Sequence, residues 1–334
     1  MEKLLEIKNL ETAFRIKDDY FNAVDKVSLD LYKNEVLAIV GESGCGKSTL
    51  ATTIMRLHNE NLTKSTGEII FNGKNILDLT EDEMNKIRTK DIGMIFQDPL
   101  SSLNPLHRIG KQIEEALIYH TELSAEERQK RVIELLTQVG IPNPERCAKQ
   151  YPHELSGGMR QRVMIAMAMS CKPSVLIADE PTTALDVTIQ AQILDLIKGL
   201  QAEMHAGIIL ITHDLGVVAE MADRVAVLYA GEVVEIGTAE QIFKNPKHPY
   251  TRSLLRSIPQ LDDEDASDDL YVIQGMVPSL KTLDRQGCRF ADRIPWLKKE
   301  DHEHNPTLHE VEEGHHVRCT CHRNFEFEGE ENNA

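Results

Sequence analysis

The feature that most constrains the fold is a glycine-rich segment between an apolar run and a helical stretch. Val36–Val40 is an uninterrupted apolar run that predicts a buried strand, and a helical stretch follows from Ser48. The residues between them, Gly41-Glu-Ser-Gly-Cys-Gly-Lys-Ser48, fit the spacing G-x-x-x-x-G-K-[ST]. Such glycines let successive backbone N–H groups face phosphate oxygens, and the helix N-terminus adds the positive end of its dipole. This order predicts an α/β core that binds a nucleotide; a glycine-rich turn without a ligand is the alternative.

Each part of this loop has an expected task. Lys47 is expected to reach the β- and γ-phosphates, and Ser48 is expected to bind Mg²⁺. The loop residues that we predict to bind the nucleotide are Gly41, Ser43, Gly44, Cys45, Gly46, Lys47, Ser48 and Thr49.

A second apolar run ends in two adjacent carboxylates. Val175–Ala178 predicts another strand, followed directly by Asp179 and Glu180. In open α/β sheets, ligands bind at the carboxyl ends of the strands. We therefore expect Asp179 to hold Mg²⁺ through its water shell and Glu180 to polarise the water that attacks the γ-phosphate. The alternative is a pair of solvated carboxylates at the end of a strand.

A third motif carries a specific family resemblance. Leu155-Ser-Gly-Gly-Met-Arg-Gln161 resembles the signature motif of ATP-binding-cassette (ABC) ATPases. Other landmarks of that family occur in order, namely Gln97 after Ile92–Phe96, then Ala184-Leu-Asp186, and His213 after Gly207–Thr212. The resemblance covers about residues 1–258. It implies an α/β phosphate-loop NTPase core, an antiparallel β subdomain and a helical subdomain at about 98–168.

The resemblance also implies roles for single residues. Gln97 would contact Mg²⁺ and the attacking water while its loop meets a membrane partner, and His213 would contact the γ-phosphate. Phe14 stands where the family places an aromatic ring that stacks on adenine, and a core aromatic is the alternative. Asp186 is counted with the nucleotide-binding residues.

The signature segment predicts a dimer. Ser156, Gly157 and Gly158 open a helix that runs to Met169, and a helix N-terminus is an anion site. In the family, this site completes the nucleotide pocket of the opposite subunit. We therefore expect hydrolysis to need two ATPase subunits. We expect the partner to be related but non-identical, and a homodimer is the alternative.

Helical signals lie on both sides of Gln97. Thr80–Glu83 and Ser124–Glu127 both fit capping boxes. Val132, Ile133, Leu135, Leu136 and Val139 give an apolar face that ends at Gly140, which we expect to stop the helix.

Composition excludes several functional classes. The net charge of −17 argues against a nucleic-acid surface, which needs clustered Lys and Arg. The chain of 334 residues has no run of 18 apolar residues and no signal peptide, so we expect a cytoplasmic protein without direct membrane insertion. Its place would be the cytoplasmic face of the cell membrane, held there by protein partners.

The tail points to one branch of the family. The acidic segment Asp262–Asp269 reads as a linker within an extension at 259–334. Asn245–Arg252, Ile273–Leu280 and Gly287–Phe290 resemble the end of ATPases from oligopeptide, dipeptide and nickel importers. Many of those carry four tail cysteines that ligate an iron–sulfur cluster. Here Cys288 matches the first and Cys319 the last, whereas the second falls on Ile294 and the third near Asp301 or His302.

Two missing thiolates remove half of the usual cluster ligands, so we expect no iron–sulfur cluster. Zinc is another alternative, because the tail offers enough soft ligands, and packing of reduced thiols is the third. The candidate zinc ligands are Cys288, His302, His316, Cys319, Cys321 and His322.

These resemblances imply an ATP-hydrolysing subunit that powers oligopeptide import. The expected partners are a second ABC ATPase subunit, two transmembrane permease subunits and an extracellular peptide-binding protein. Import of dipeptides, nickel or another solute of the same subfamily is the main alternative. A soluble ABC ATPase acting on DNA or ribosomes is another, although the chain has neither a second cassette nor a heptad arm.

Overall fold

The computed structural model describes residues 2–183, 185–258 and 271–327. The acidic linker predicted at 262–269 and Ala184 of the predicted Ala184-Leu-Asp186 landmark lie outside the described residues. The same holds for the end of the extension, 328–334.

The strands form two sheets. In chain order they are β1 Lys3–Ile16, β2 Asp19–Tyr32, β3 Val36–Val40, β4 Thr63–Phe71, β5 Lys74–Asn75, β6 Ile92–Ile95, β7 Val175–Asp179, β8 Gly207–Ile211, β9 Arg224–Tyr229, β10 Glu232–Thr238, β11 Leu308–Glu312 and β12 His315–Arg318. The larger sheet has the order β11-β12-β10-β9-β3-β8-β7-β6, and the smaller has the order β2-β1-β4-β5.

The centre of the larger sheet is parallel. β3 pairs in parallel with β8 and β9, and β7 pairs in parallel with β6 and β8. Every residue of β3, β7 and β8 is buried. Parallel strands covered on both faces are apolar without alternation, which explains why these runs could be predicted as strands. The smaller sheet is antiparallel and packs its apolar face on the same core, as the family resemblance implied.

Eleven helices connect the strands of the described residues. They are α1 Lys47–Ile54, α2 Glu81–Ile87, α3 Pro99–Ser102, α4 Ile109–His120, α5 Ala125–Gln138, α6 Pro144–Cys147, α7 Gly157–Ala168, α8 Val187–Met204, α9 Leu215–Met221, α10 Ala239–Lys244 and α11 Pro249–Arg256. Both predicted capping boxes are confirmed, at the starts of α2 and α5. Gly140 has φ of 71° just after α5, as a helix stop requires. Helices α3–α7 lie between β6 and β7 in the chain, and the subdomain limits 98–168 stay a prediction.

The extension is part of the larger sheet. β12 pairs antiparallel with β10, so the β11–β12 hairpin extends the sheet at that edge. The side chains of Phe290 and Ile294 pack with Tyr229 and Tyr250 in one buried cluster. The extension and the nucleotide-binding part therefore share a core, while the boundary predicted at residue 258 stays a prediction. None of the helices in the described part of the chain has the length and apolar character that crossing a bilayer requires.

Candidate active site

A cleft of about 310 Å³ lies where the carboxyl ends of the parallel strands meet. Because parallel strands end at the same edge, segments far apart in the chain supply its wall. Its lining residues are Phe14, Ala23, Ser43, Gly44, Gly46, Lys47, Ser48, Thr49, Gln97, Glu180 and Leu280.

The loop between β3 and α1 needs its glycines. Gly46 has φ of 110°, and a Cβ added there would stand 2.5 Å from the Ala23 carbonyl oxygen. Lys47 is buried, and its Nζ donates hydrogen bonds to the carbonyl oxygens of Gly41 at 2.7 Å and Glu42 at 3.0 Å. The glycines thus let the loop curl around the ammonium group at the start of α1.

The Cys45 side chain does not line this cleft. It is buried beneath the loop, and burial raises the pKa of its thiol. A phosphate in the cleft would therefore meet the backbone of Cys45 rather than its sulfur.

Ser48 and Asp179 form the first polar pair of the site. Ser48 Oγ donates a hydrogen bond to Asp179 Oδ1 at 3.1 Å. Asp179 is buried at the end of β7, and this burial raises the pKa of its carboxyl group. A buried carboxylate beside a hydroxyl is a hard-oxygen donor set, and Mg²⁺ prefers such ligands. The residues present therefore fit the predicted ion.

Glu180 is the centre of a second polar group. Its Oε2 accepts hydrogen bonds from Gln97 Nε2 and Thr183 Oγ1, both at 2.8 Å. His213 Nδ1 lies 3.4 Å from Glu180 Oε1, on an exposed side chain after β8. The structure thus brings Glu180 together with Gln97, both predicted to act on the attacking water, and with His213, predicted to contact the γ-phosphate. The contact of Thr183 with Glu180 was not predicted. The position of this hydroxyl residue only three places after Glu180 is a signal that could have indicated it.

Phe14 stands at the rim of the cleft. Its half-buried ring meets His58 edge to face, with ring centroids 5.1 Å apart and planes at 89°. One part of the ring thus packs against the protein while another faces the cleft. Both predicted interpretations, the adenine platform and the core aromatic, are compatible with this position.

The signature residues lie outside this cleft. Ser156 and Gly157 are exposed, and Ser156 Oγ accepts the Met159 N–H to cap α7. Gly158 packs close to Ile189, so a Cβ there would lie 3.2 Å from the Ile189 methyl group. Asp186 is exposed and caps α8 through the Ile189 N–H at 2.9 Å. Within the described residues, the helix start at α7 therefore does not serve the chain's own phosphate loop.

One contact nevertheless links α7 to the segment that follows β7. Gln161 Nε2 donates to the Pro181 carbonyl oxygen at 2.5 Å, one residue after Glu180. A movement of α7 would therefore shift the backbone next to Glu180.

The extension also reaches the phosphate loop, which the sequence did not predict. Arg293 donates through both terminal nitrogens to the Glu42 carboxylate, at 2.6 and 3.2 Å. The Glu42 N–H donates to Tyr250 Oη at 2.7 Å. Leu280 adds an apolar side chain to the cleft wall. Arg293 and Glu42 are 251 positions apart, so sequence spacing gave no signal of their contact.

Four of the six predicted soft ligands of the tail converge. One ligand atom from each of Cys288, His302, Cys319 and Cys321 lies within 4.8 Å of the others. His316 belongs to β12, and His322 Nδ1 donates to the Cys319 carbonyl oxygen at 2.8 Å. Neither of these two histidines joins the group.

Comparisons with known proteins agree with this architecture. The ABC transporter family matches residues 24–183, and the family described as the oligopeptide/dipeptide transporter C-terminal region matches residues 234–300. A dimeric ATP-binding cassette solved in a post-hydrolysis state with ADP and phosphate superimposes with a TM-score of 0.64 and 33% identity, over 71% of this chain and 99% of that one.

Full-length relatives are similar along the tail as well. An oligopeptide transport ATP-binding protein of Lactococcus lactis subsp. cremoris is 54% identical over 98% of this chain and 96% of its own length. A dipeptide transport ATP-binding protein of Bacillus subtilis is 53% identical over 88% of each chain. With this identity over nearly its whole length, the chain belongs to the family of ABC transporter ATP-binding proteins that carry the oligopeptide/dipeptide transporter C-terminal region.

Proposed function

We propose that this ABC ATPase powers the import of oligopeptides through separate transmembrane subunits. The observation that carries the proposal is likeness to an oligopeptide transport ATP-binding protein over 98% of the chain, tail included. Dipeptides are the nearest alternative cargo, because a dipeptide transport protein is almost as similar. Nickel and other solutes of the subfamily remain alternatives, and a soluble ABC ATPase is less well supported because it would not need this tail.

The phosphate loop would bind the triphosphate of ATP. Backbone N–H groups from Gly41 to Thr49 and the start of α1 supply the anion site. Lys47 would exchange its carbonyl partners for the β- and γ-phosphates. Ser48 and Asp179 would hold Mg²⁺, whose charge offsets that of the phosphates when it is bound.

Glu180 is the proposed general base. Its carboxylate would accept a proton from the attacking water, and such assistance typically contributes about 10²–10⁴ in rate. Gln97 donates to one carboxylate oxygen and His213 approaches the other, which supports a role for both in fixing its orientation. His213 is exposed at the cleft edge, from which it would meet the γ-phosphate. Phe14 would stack on adenine at the rim.

The site is completed by a second ATPase subunit. Ser156, Gly157 and Gly158 present an exposed helix start that has no phosphate of its own chain, and Asp186 caps a neighbouring helix. The dimeric cassette of similar fold supports this arrangement. We propose that the partner is a related, non-identical ATPase, as the intact catalytic set and specialised tail suggested.

A groove beside Gln97 suits the membrane partner. Its volume is about 720 Å³, and it lies between the sheet and the helices α4 and α7. Its lining includes Met55, Met94, Phe96, Tyr119, Met164 and Met167. Flexible methionines and an exposed aromatic suit an inserted helix. Tyr119 is 76% exposed, and a permease element in the groove would cover it at the cytoplasmic face of the membrane.

Co-purification tests the proposal. The tagged chain is expressed in its own cell, membranes are solubilised gently, and captured proteins are identified by mass spectrometry. We expect two multi-spanning permeases, a second ABC ATPase and a solute-binding protein. The complex in vesicles should then hydrolyse ATP faster when binding protein loaded with oligopeptides is added. Stimulation by dipeptides or nickel alone would reassign the cargo, and recovery of ribosomes or DNA would overturn the transport role.

A further inference from the structure

We propose that Cys288, His302, Cys319 and Cys321 bind a single zinc ion in the extension. Their ligand atoms all lie within 4.8 Å of one another. Around one zinc ion with Zn–S bonds of about 2.3 Å, tetrahedral geometry puts the sulfur atoms about 3.8 Å apart. Three cysteines and one histidine are also a standard ligand set of structural zinc sites.

Three backbone segments deliver these ligands. Cys288 follows Gly287, whose N–H donates to the His304 carbonyl oxygen at 3.0 Å, and so lies beside the segment that carries His302. Cys319 follows β12, and its N–H donates to the Thr307 carbonyl oxygen at 3.2 Å. Cys321 comes from the 3₁₀ turn Thr320–Arg323. The backbone therefore fixes the approach of the ligands independently of any ion.

The polar atoms around the group favour a metal. Nδ1 of His302 is buried and has no hydrogen-bond partner among the described residues. The Glu303 N–H donates to Cys319 Sγ at 3.3 Å, a contact that stabilises negative charge on a ligating sulfur. Cys319 and Cys321 are fully buried. Burial of polar groups without partners is costly, and an ion held by all four side chains removes that cost.

The same geometry does not fit the cluster of the wider subfamily. In a four-iron cluster each thiolate binds a different iron and points outward, so the sulfurs must stand further apart than ligands of one ion do. Ile294, at the position of the second cysteine in the family pattern, is buried in the apolar cluster with Phe290. The site of this chain is therefore suited to one ion rather than to an iron–sulfur cluster.

Such an ion would have a structural task. Between 271 and 327, the regular structure is the β11–β12 hairpin and three short 3₁₀ turns. A metal that joins three segments of an irregular region contributes its binding energy to folding. Cys288 directly precedes Arg289, which bonds the Ala230 carbonyl oxygen and contacts the Asp25 carboxylate. The ion would thus help to position Arg289, one of the arginines that join the extension to the core.

Metal content of the full-length chain tests the proposal. The protein is purified anaerobically with a reductant, and zinc, iron and acid-labile sulfide are measured per chain. We expect one equivalent of zinc with neither iron nor sulfide. Cys321→Ser and His302→Ala should lose the zinc. Cys171→Ser and His322→Ala, which change a cysteine and a histidine outside the group, should keep it.

A second measurement covers the case in which the ligand variants fail to fold. Zinc is displaced from the wild-type chain with a mercurial, the mercurial is removed with excess thiol, and Co²⁺ is added. A tetrahedral site with thiolates should give intense visible cobalt bands, which added zinc abolishes. Iron with sulfide in the purified protein, a disulfide among the three cysteines, or three reactive thiols without bound metal would each overturn the proposal.

Discussion

The nucleotide cleft and the C-terminal extension hold their side chains in place by different means. In the cleft, Asp179 is the last residue of a strand that is buried throughout and Glu180 follows it directly, so the sheet sets their positions. In the extension, most of the backbone is irregular. The β12–β10 pairing, shared apolar packing and single polar contacts such as Arg293 with Glu42 hold it to the core. The comparison shows that the residues of a site at strand ends can be predicted from the sequence. Which residues meet where loops converge cannot be predicted in this way.

The two regions also meet. The Arg293–Glu42 pair joins the extension directly to the phosphate loop. The backbone N–H of Glu42 also donates a hydrogen bond to Tyr250 Oη. Arg293 is buried, while Glu42 keeps part of its surface in contact with solvent. The extension is therefore placed to influence how the loop holds a nucleotide.

Glu180→Gln, a substitution within the cleft, should have the largest effect, and this effect is on the rate of ATP hydrolysis. Loss of the general base should lower kcat by about 10²–10⁴. ATP should still bind, because the glutamine keeps the size and the hydrogen bonds of the side chain. Steady-state ATPase assays and nucleotide binding are measured on the assembled complex, with exposed Glu220→Gln as control. Wild-type turnover in Glu180→Gln would remove Glu180 from its proposed role.

Arg293→Ala tests the link between the two regions. Removal of one partner of a buried ion pair typically costs about 2–5 kcal/mol, and we expect the lower end because Glu42 can turn to water. ATP affinity should fall about tenfold, equivalent to about 1.4 kcal/mol, because Glu42 belongs to the phosphate loop. Chemical denaturation and nucleotide titration provide the two readouts.

Exposed Arg323→Ala is the matched control for charge loss in the extension and should leave both quantities unchanged. A destabilised Arg293→Ala protein with unaltered ATP affinity would mean that the pair supports the fold but not the loop. Unchanged stability would contradict the link itself.

The difference between the regions also explains what the sequence could predict. The loop before Lys47, the carboxylates at the end of β7 and the capping box at Ser124 depend on neighbours within a few positions, so their patterns were sufficient. Arg293 finds Glu42 only because the folded extension lies against the core. Six tail residues were candidate metal ligands, but the turns that bring together four of them leave no periodic pattern. The task of Phe14 stayed open because a ring at a cleft edge serves both packing and stacking.

Ser124→Ala tests the local kind of stabilisation. The Ser124 hydroxyl accepts the Glu127 N–H, and the Glu127 carboxylate accepts the Ser124 N–H. Loss of such a cap costs about 1 kcal/mol, and Ser124→Thr should recover most of it. Chemical denaturation measures the change, and ATP affinity should stay constant. A fall in ATP affinity equal to that of Arg293→Ala would erase the distinction between local and long-range contacts.

The smallest expected effect concerns a histidine of the core. His58 Nε2 lies 3.0 and 3.1 Å from the hydroxyl groups of Thr52 and Thr53 and also near the Thr49 carbonyl oxygen, which are all uncharged partners. By contrast, His315 of the extension lies 2.7 Å from the Glu235 carboxylate. Burial lowers the pKa of His58, and the hydrogen bond to Thr49 opposes this only in part.

With a folded pKa below the unfolded value of about 6.5, the unfolded chain binds more protons as pH falls through that value. His58 should therefore cost the folded protein stability progressively below about pH 6.5, and no such cost exists well above it. His58→Gln should flatten this part of the pH dependence, by less than the loss of the Ser124 cap. Thermal unfolding of both proteins at a series of pH values from about 7.5 to 5.5 measures the difference, with exposed His107→Gln as control. The same stability difference between wild type and His58→Gln at every pH would mean that His58 is not the neutral group that its surroundings indicate. The packing of His58 against Phe14 would then have to accommodate a charged ring.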